Sequence, residues 1–257
     1  MYLNQNALSG RTVLVTGASR GIGAATARAL AAANANVIAH YRSDEIGARQ
    51  AVSALPNEQK LLVNADLRTP QAARELWRSA LAWREEIDVL VVNAAVLPDT
   101  PIDGPDEAWD AGWQEALQIN VIGAGALMRE AVRHFVASGS GTIIVLSSWA
   151  GQQGSRIPDL TAYAASKAAI RNLAQTFARN FAREGLRVYV LAPGVVNIGM
   201  ALVGQSEADQ VKTAAGLAMG RATGADEIAD LIAFLSTDAC PTLTGATLDM
   251  NGASYIR

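Results

Sequence analysis

Short apolar runs alternate with longer amphipathic stretches along most of the chain. The runs are residues 12–16 (Thr-Val-Leu-Val-Thr), 37–41, 60–64, 89–92 (Val-Leu-Val-Val), 141–146, 187–191 and 247–250. Their length and β-branched content predict strands, most of them covered on both faces. Between them, helical periodicity covers 24–33, 69–83, 107–138, 161–184 and 225–235. Thr69 and Pro70 give a start signal, and Ile170, Leu173, Phe177 and Phe181 form one apolar stripe. Strand and helix in alternation predict an α/β fold, with seven mostly parallel strands doubly wound between helices. The stretch 107–138 carries Asn120, Gly123 and Gly125 in its interior, which predicts a bend or a bound water there. Residues 98–105 read as a loop. Residues 197–220 lack a strand signal and fit either a mobile lid or a surface helix.

Composition narrows the class. Half of the 257 residues are hydrophobic and no Pro- or Ser-rich linker divides them, so one domain over 1–257 is expected. A net charge of −3 supplies no basic field for nucleic acid or an anionic membrane. Small-molecule partners are therefore favoured. Cys240 stands alone, and His40 and His134 are far apart, so neither a disulfide framework nor a metal site is expected and both histidines read as structural. Residues 1–10 lack a signal-peptide pattern and charges interrupt the apolar runs, which predicts a cytoplasmic protein.

Gly17, Gly21 and Gly23 follow the first strand directly and open the first helix. That order suits a pyrophosphate, because glycine permits close backbone approach and the helix start offers free N–H groups. The second strand ends where a Rossmann-type fold meets the adenosine ribose. It carries Tyr41, Arg42 and Ser43 rather than an acid, while Arg20 lies in the glycine turn. Two guanidiniums suit a 2′-phosphate, so NADP(H) is preferred and NAD(H) stays possible. Asn93, Ala94 and Ala95 end the fourth strand with small residues, and Ser147 and Ser148 end the fifth.

Tyr163 and Lys167 stand four apart in an alanine-rich helical segment, on one face. A neighbouring ammonium favours phenolate, so the tyrosine's pKa is expected below its usual value of about 10, as a general acid/base requires.

With Thr16-Gly17-Ala18-Ser19-Arg20-Gly21-Ile22-Gly23, Asp66-Leu67, Asn93-Ala94-Ala95, Asn120, Ser148, Tyr163, Lys167 and Pro193-Gly194 in this order, the chain resembles the short-chain dehydrogenase/reductase family. It looks most similar to the 3-oxoacyl-carrier-protein reductase-like members. The resemblance implies that Tyr163 exchanges a proton with a carbonyl or alcohol oxygen while hydride passes to or from nicotinamide. Lys167 would lower the tyrosine's pKa and hold the ribose, Ser148 would bond the oxyanion, and Asn120 would hold a relay water. Gly17, Ser19, Arg20, Gly21, Ile22, Gly23, Tyr41, Arg42, Ser43, Asp66, Leu67, Asn93, Ala94, Ala95, Pro193, Gly194 and Val196 would border the cofactor. It also implies a homotetramer or homodimer. The family's paired asparagines and glycine after the fourth strand are here Val92, Asn93, Ala94 and Ala95, and Ile198 replaces a threonine that contacts the nicotinamide end. An NAD-dependent alcohol dehydrogenase and a non-catalytic cofactor sensor or scaffold remain open alternatives.

Overall fold

A computed structural model describes residues 4–197 and 207–257. Its strands are β1 (Thr12–Val15), β2 (Asn36–Tyr41), β3 (Lys60–Asn64), β4 (Val89–Val92), β5 (Gly141–Leu146), β6 (Leu186–Pro193) and β7 (Thr247–Met250). They form one seven-stranded sheet in the order β3-β2-β1-β4-β5-β6-β7. Every pairing is parallel, where the sequence pattern predicts a mostly parallel sheet.

Strand alternation sorts the core into two layers. Val13, Val15, Val37, Ala39, Val89 and Val91 face one side; Leu14, Ile38, Leu90 and Val92 face the other. The first side is covered by α1 (Gly21–Ala32), α2 (Glu45–Ala51) and α9 (Ala225–Leu235) through Leu30, Ala51, Ile228 and Ile232. Packed on the second are α3 (Pro70–Trp83), α5 (Ala124–Ser138) and α7 (Thr161–Phe181) through Leu76, Leu127, Phe135 and Ile170. Each fully buried aliphatic or aromatic side chain contributes about 1.5–3 kcal/mol, so the two layers carry the fold. Thr69 caps α3 by accepting from the Ala72 N–H at 3.2 Å, with Pro70 in the first turn, as its sequence signal predicts.

Three elements differ from the sequence pattern. The predicted helix 107–138 divides into α4 (Asp106–Leu117), a π-helical segment (Gln118–Gly123) and α5. Asn120 and Gly123 lie inside that wider turn, which is the local reason their presence demands. Two short helices, α2 and α6 (Ala150–Gln153), carry too little apolar periodicity to stand out. The stretch 197–220, read as either a lid or a surface helix, contains the helix α8 (Glu207–Ala215), while residues 198–206, including Ile198, lie outside the described residues.

Candidate active site

Because the strands are parallel, their C-terminal ends share one edge, and the order reverses between β1 and β4. Such a reversal opens a crevice where ligands of doubly wound sheets bind. The glycine turn after β1 lies there. Gly23 sits so close to the turn that a Cβ on it would lie 2.0 Å from the Gly17 carbonyl oxygen. Helix α1 begins at Arg20 with no side-chain cap and no acid in its first turn. Its N-terminal N–H groups and dipole therefore suit an anion such as a pyrophosphate.

Thr16 is the hub that joins this turn to β4. Its hydroxyl donates to the Val91 carbonyl at 3.1 Å and accepts from the Asn93 and Ala94 N–H groups at 2.9 and 3.0 Å. Asn93 returns the contact, its side-chain amide donating to the Thr16 and Gly17 carbonyls at 2.9 and 3.2 Å. Asn93 thus braces the turn, leaving the small Ala94 and Ala95 beside the crevice. Ser19 spends its hydroxyl on the Asp44 carbonyl at 2.6 Å, and Ile22 packs on the core.

Arg42 and Ser43 at the end of β2 are exposed, as is Arg20 at the start of α1. Among the described residues neither of these guanidiniums enters an ion pair. The nearby acids are engaged elsewhere. Asp44 caps α2 by accepting from Gly47 N–H at 2.8 Å, and Glu45 takes the Tyr41 hydroxyl at 3.1 Å and the Arg49 guanidinium. That hydroxyl is held above its usual pKa, by desolvation first and then by the bond to Glu45. Beyond β3, Asp66 pairs with Arg68 at 3.0 Å, and Leu67 is buried.

His40 joins the ends of these strands. Its Nδ1 accepts from Gly17 N–H and its Nε2 donates to the Ala65 carbonyl, each at 3.1 Å. Burial lowers its pKa to about 4, against smaller opposing contributions from the Ala65 bond and the Asp66 charge. The folded pKa lies below the unfolded value of 6.5, so the unfolded chain binds the extra proton between these values. This contribution is complete above pH 6.5 and is lost as pH falls towards 4, about 3 kcal/mol in all. Urea unfolding of the wild type and His40→Asn at pH 7 and pH 5 checks this: the wild type is expected to lose more stability than the variant on acidification.

On the other side of the crevice, Ser147 and Ser148 follow β5 and are both buried, but they face different partners. Ser147 donates its hydroxyl to the Lys167 carbonyl at 2.8 Å. Ser148 accepts from Ala150 N–H at 3.2 Å, and its side chain faces the Tyr163 phenol, whose pKa it holds down against the effect of burial. Gly151 permits this meeting: a Cβ there would lie 2.7 Å from the Lys167 carbonyl carbon and 2.8 Å from the Ala168 nitrogen. Helix α6 therefore rests directly on the backbone of α7. Pro193 accepts from Trp149 N–H at 3.0 Å and Gly194 donates to Met250 at 3.0 Å, which closes the crevice wall. Val196 lies in the core beneath it.

The Tyr163–Lys167 electrostatics correct the sequence expectation. Burial raises the tyrosine's pKa above 10, and the Ser148 side chain opposes that rise. Lys167 is buried, its ammonium donates to the Leu146 carbonyl at 2.7 Å, and desolvation lowers its pKa to about 8. Its Nζ lies 5.8 Å from the centre of the Tyr163 ring. The ammonium is drawn to the strand carbonyl rather than to the phenol oxygen, so desolvation dominates the tyrosine.

Asn120 also differs in detail. Its amide exchanges two 2.9 Å bonds with the Val96 backbone and donates to Ser166 Oγ at 3.0 Å. Ser166, which sequence reasoning missed, donates in turn to the Tyr163 carbonyl at 2.7 Å. The π-helical segment, the loop after β4 and α7 are thereby fastened together. Thr100, also missed, is buried and binds the Asp159 carbonyl at 2.8 Å through its hydroxyl, pinning the loop before α4 to the start of α7. Neither serine nor threonine carries a sequence signal for such a long-range role.

Comparison with known proteins accounts for this arrangement. Residues 17–252 match the family model described as enoyl-(acyl carrier protein) reductase. The chain is 34% identical over 256 residues to 3β-hydroxysteroid dehydrogenase 1 of Eggerthella lenta, covering 95% of this chain and 94% of that protein. It is 35% identical over 250 residues to cis-4-hydroxycyclohexanecarboxylate dehydrogenase of Sinomonas cyclohexanicum, covering 96% and 97%. It is 33% identical over 249 residues to 3-oxoacyl-(acyl-carrier-protein) reductase FabG of Escherichia coli K12, covering 96% and 98%. With its parallel sheet, glycine turn and Ser148–Tyr163–Lys167 cluster on one strand edge, the chain belongs to the short-chain dehydrogenase/reductase family of NAD(P)-dependent oxidoreductases acting on CH–OH and C=O groups.

Proposed function

We propose that this enzyme is an NADP(H)-dependent oxidoreductase of a carbonyl or secondary alcohol, with Tyr163 as its general acid/base. The observation that carries the reading is the gathering of the Ser148 side chain, the Tyr163 phenol and buried Lys167 at the strand edge that also carries the glycine turn. When bound, the nicotinamide supplies or accepts the hydride.

In reduction, Tyr163 gives its phenolic proton to the substrate oxygen. A phenol held above 10 is fully protonated at working pH, which suits this direction. Ser148 donates a hydrogen bond to the same oxygen as negative charge develops, a fixed dipole that needs no rearrangement. Lys167 would hold the ribose hydroxyls, and its ammonium, fixed by the Leu146 carbonyl 5.8 Å from the centre of the Tyr163 ring, would offset part of the charge on the phenolate left behind. Proton return passes along the π-helical turn. There the Asn120 side chain is fastened to Val96 and Ser166, which places it beside α7, and the family resemblance makes Asn120 the holder of the relay water.

NADP preference is supported by the Arg20 and Arg42 guanidiniums, which enter no ion pair among the described residues, and by the engagement of Asp44 and Glu45 with other partners. Arg42→Ala is expected to weaken NADPH about tenfold and to leave NADH nearly unchanged. Equal losses for both cofactors in a fluorescence titration would remove the 2′-phosphate assignment. The alternative, an NAD-dependent alcohol dehydrogenase, would instead bind NADH as tightly as NADPH in the wild type. The family's habit of assembly, carried by resemblance, gives a homotetramer or homodimer, which light scattering would distinguish from a monomer.

A further inference from the structure

We infer that His40 is a positioning residue of the cofactor site, holding the Gly17 amide so that the glycine turn and the adenosine wall keep their separation. This role presupposes that the glycine turn holds the cofactor.

His40 is 2% exposed. The bonding roles of its ring are fixed by its neighbours. Gly17 N–H can only donate, so Nδ1 must accept; the Ala65 carbonyl can only accept, so Nε2 must carry the proton. A single neutral tautomer satisfies both, and each nitrogen has one protein partner. The main chain adds a third link, since the His40 carbonyl accepts from Ala18 N–H at 2.8 Å.

These bonds join the three segments that leave β1, β2 and β3 at the crevice. Gly17 opens the phosphate turn, His40 directly precedes Tyr41 and Arg42, and Ala65 directly precedes Asp66 and Leu67. Strand β3 is the sheet edge and pairs only with β2, and its residues are partly exposed. Its end is tied to β2 by the Ala65 N–H to Tyr41 carbonyl bond at 3.1 Å and by the Asn64 side-chain amide donating to the Arg42 carbonyl, while among the described residues the imidazole is what links it to the glycine turn. Replacing the imidazole with an apolar side chain leaves the Gly17 N–H and the Ala65 carbonyl unpaired. The turn then keeps the Ala18 N–H to His40 carbonyl bond and the Ser19 bond to Asp44 on this side but loses its link to the end of β3, which loosens its distance from the wall. A shift of that kind acts on cofactor affinity and leaves Ser148, Tyr163 and Lys167, across the crevice, in place.

The test compares His40→Leu, His40→Asn and His40→Gln by NADPH fluorescence titration, turnover at saturating NADPH and thermal melting. Asparagine places an acceptor near the position of Nδ1, whereas glutamine reaches the position of Nε2. His40→Leu is expected to raise the Kd for NADPH about tenfold while kcat at saturation changes by less than about twofold. His40→Asn recovers affinity to within about threefold, because it restores the Gly17 bond; His40→Gln stays near the leucine variant. Equal weakening by Asn and Gln, or a Kd that simply follows the melting temperature across the series, would overturn the role. An unchanged Kd in His40→Leu would do the same while leaving the cofactor reading intact. Wild-type protein that binds neither NADPH nor NADH would instead remove the cofactor reading, and this role with it.

Discussion

Tyr163→Phe is expected to lower kcat by about 10²–10⁴ while leaving the NADPH Kd within about twofold of wild type. The variant keeps the aromatic ring and its packing and removes only the hydroxyl. What is lost is the proton donor to the substrate oxygen. Lys167 keeps its own bond to the Leu146 carbonyl, so the ribose contact assigned to it is not disturbed. Turnover retained within tenfold would contradict the acid/base role. The same phenol sets opposite pH trends in the two directions. Reduction needs the protonated form and falls as pH rises through the phenol's pKa; alcohol oxidation needs the phenolate and rises over the same range.

Ser148→Ala is expected to lower kcat by about 10²–10³, the usual cost of removing one donor to a developing oxyanion. Its neighbour provides the control. Ser147 Oγ faces the Lys167 carbonyl 2.8 Å away, inside the protein, so Ser147→Ala should lower stability by about 1 kcal/mol and spare most of the turnover. If the two variants exchanged phenotypes, the roles of the two hydroxyls would be reversed. Steady-state rates with chemical denaturation of both variants decide between these outcomes.

The sheet is legible in the sequence because most of its strands are apolar on both faces, and an alternating or mixed pattern would not have stood out so plainly. Helix α2 was hidden for the converse reason. It has seven residues, of which only Ala48 and Ala51 are buried, and its Ile46 is 82% exposed. The break in the long helical stretch was legible from Asn120 and Gly123, but its form, a π-helical segment, depends on the Val96 backbone and Ser166, which lie far away in sequence. The candidate site follows the same division. Tyr163, Lys167 and the glycines show themselves by local spacing. The direction of the Lys167 ammonium does not, because it is set by a carbonyl 21 residues earlier, and the expected lowering of the tyrosine's pKa gave way to burial. Thr16, Thr100 and Ser166 act through bonds to distant groups, and no spacing rule marks them.

The most direct test of the account is NADPH oxidation by the purified enzyme with a panel of cyclic and linear ketones, measured beside Tyr163→Phe. Ketone-dependent oxidation by the wild type, faster with NADPH than with NADH and lost in the variant, is the predicted result. Tight NADPH binding in both proteins, with ketone turnover equal in the two, would contradict the central claim that the Tyr163 hydroxyl carries the proton.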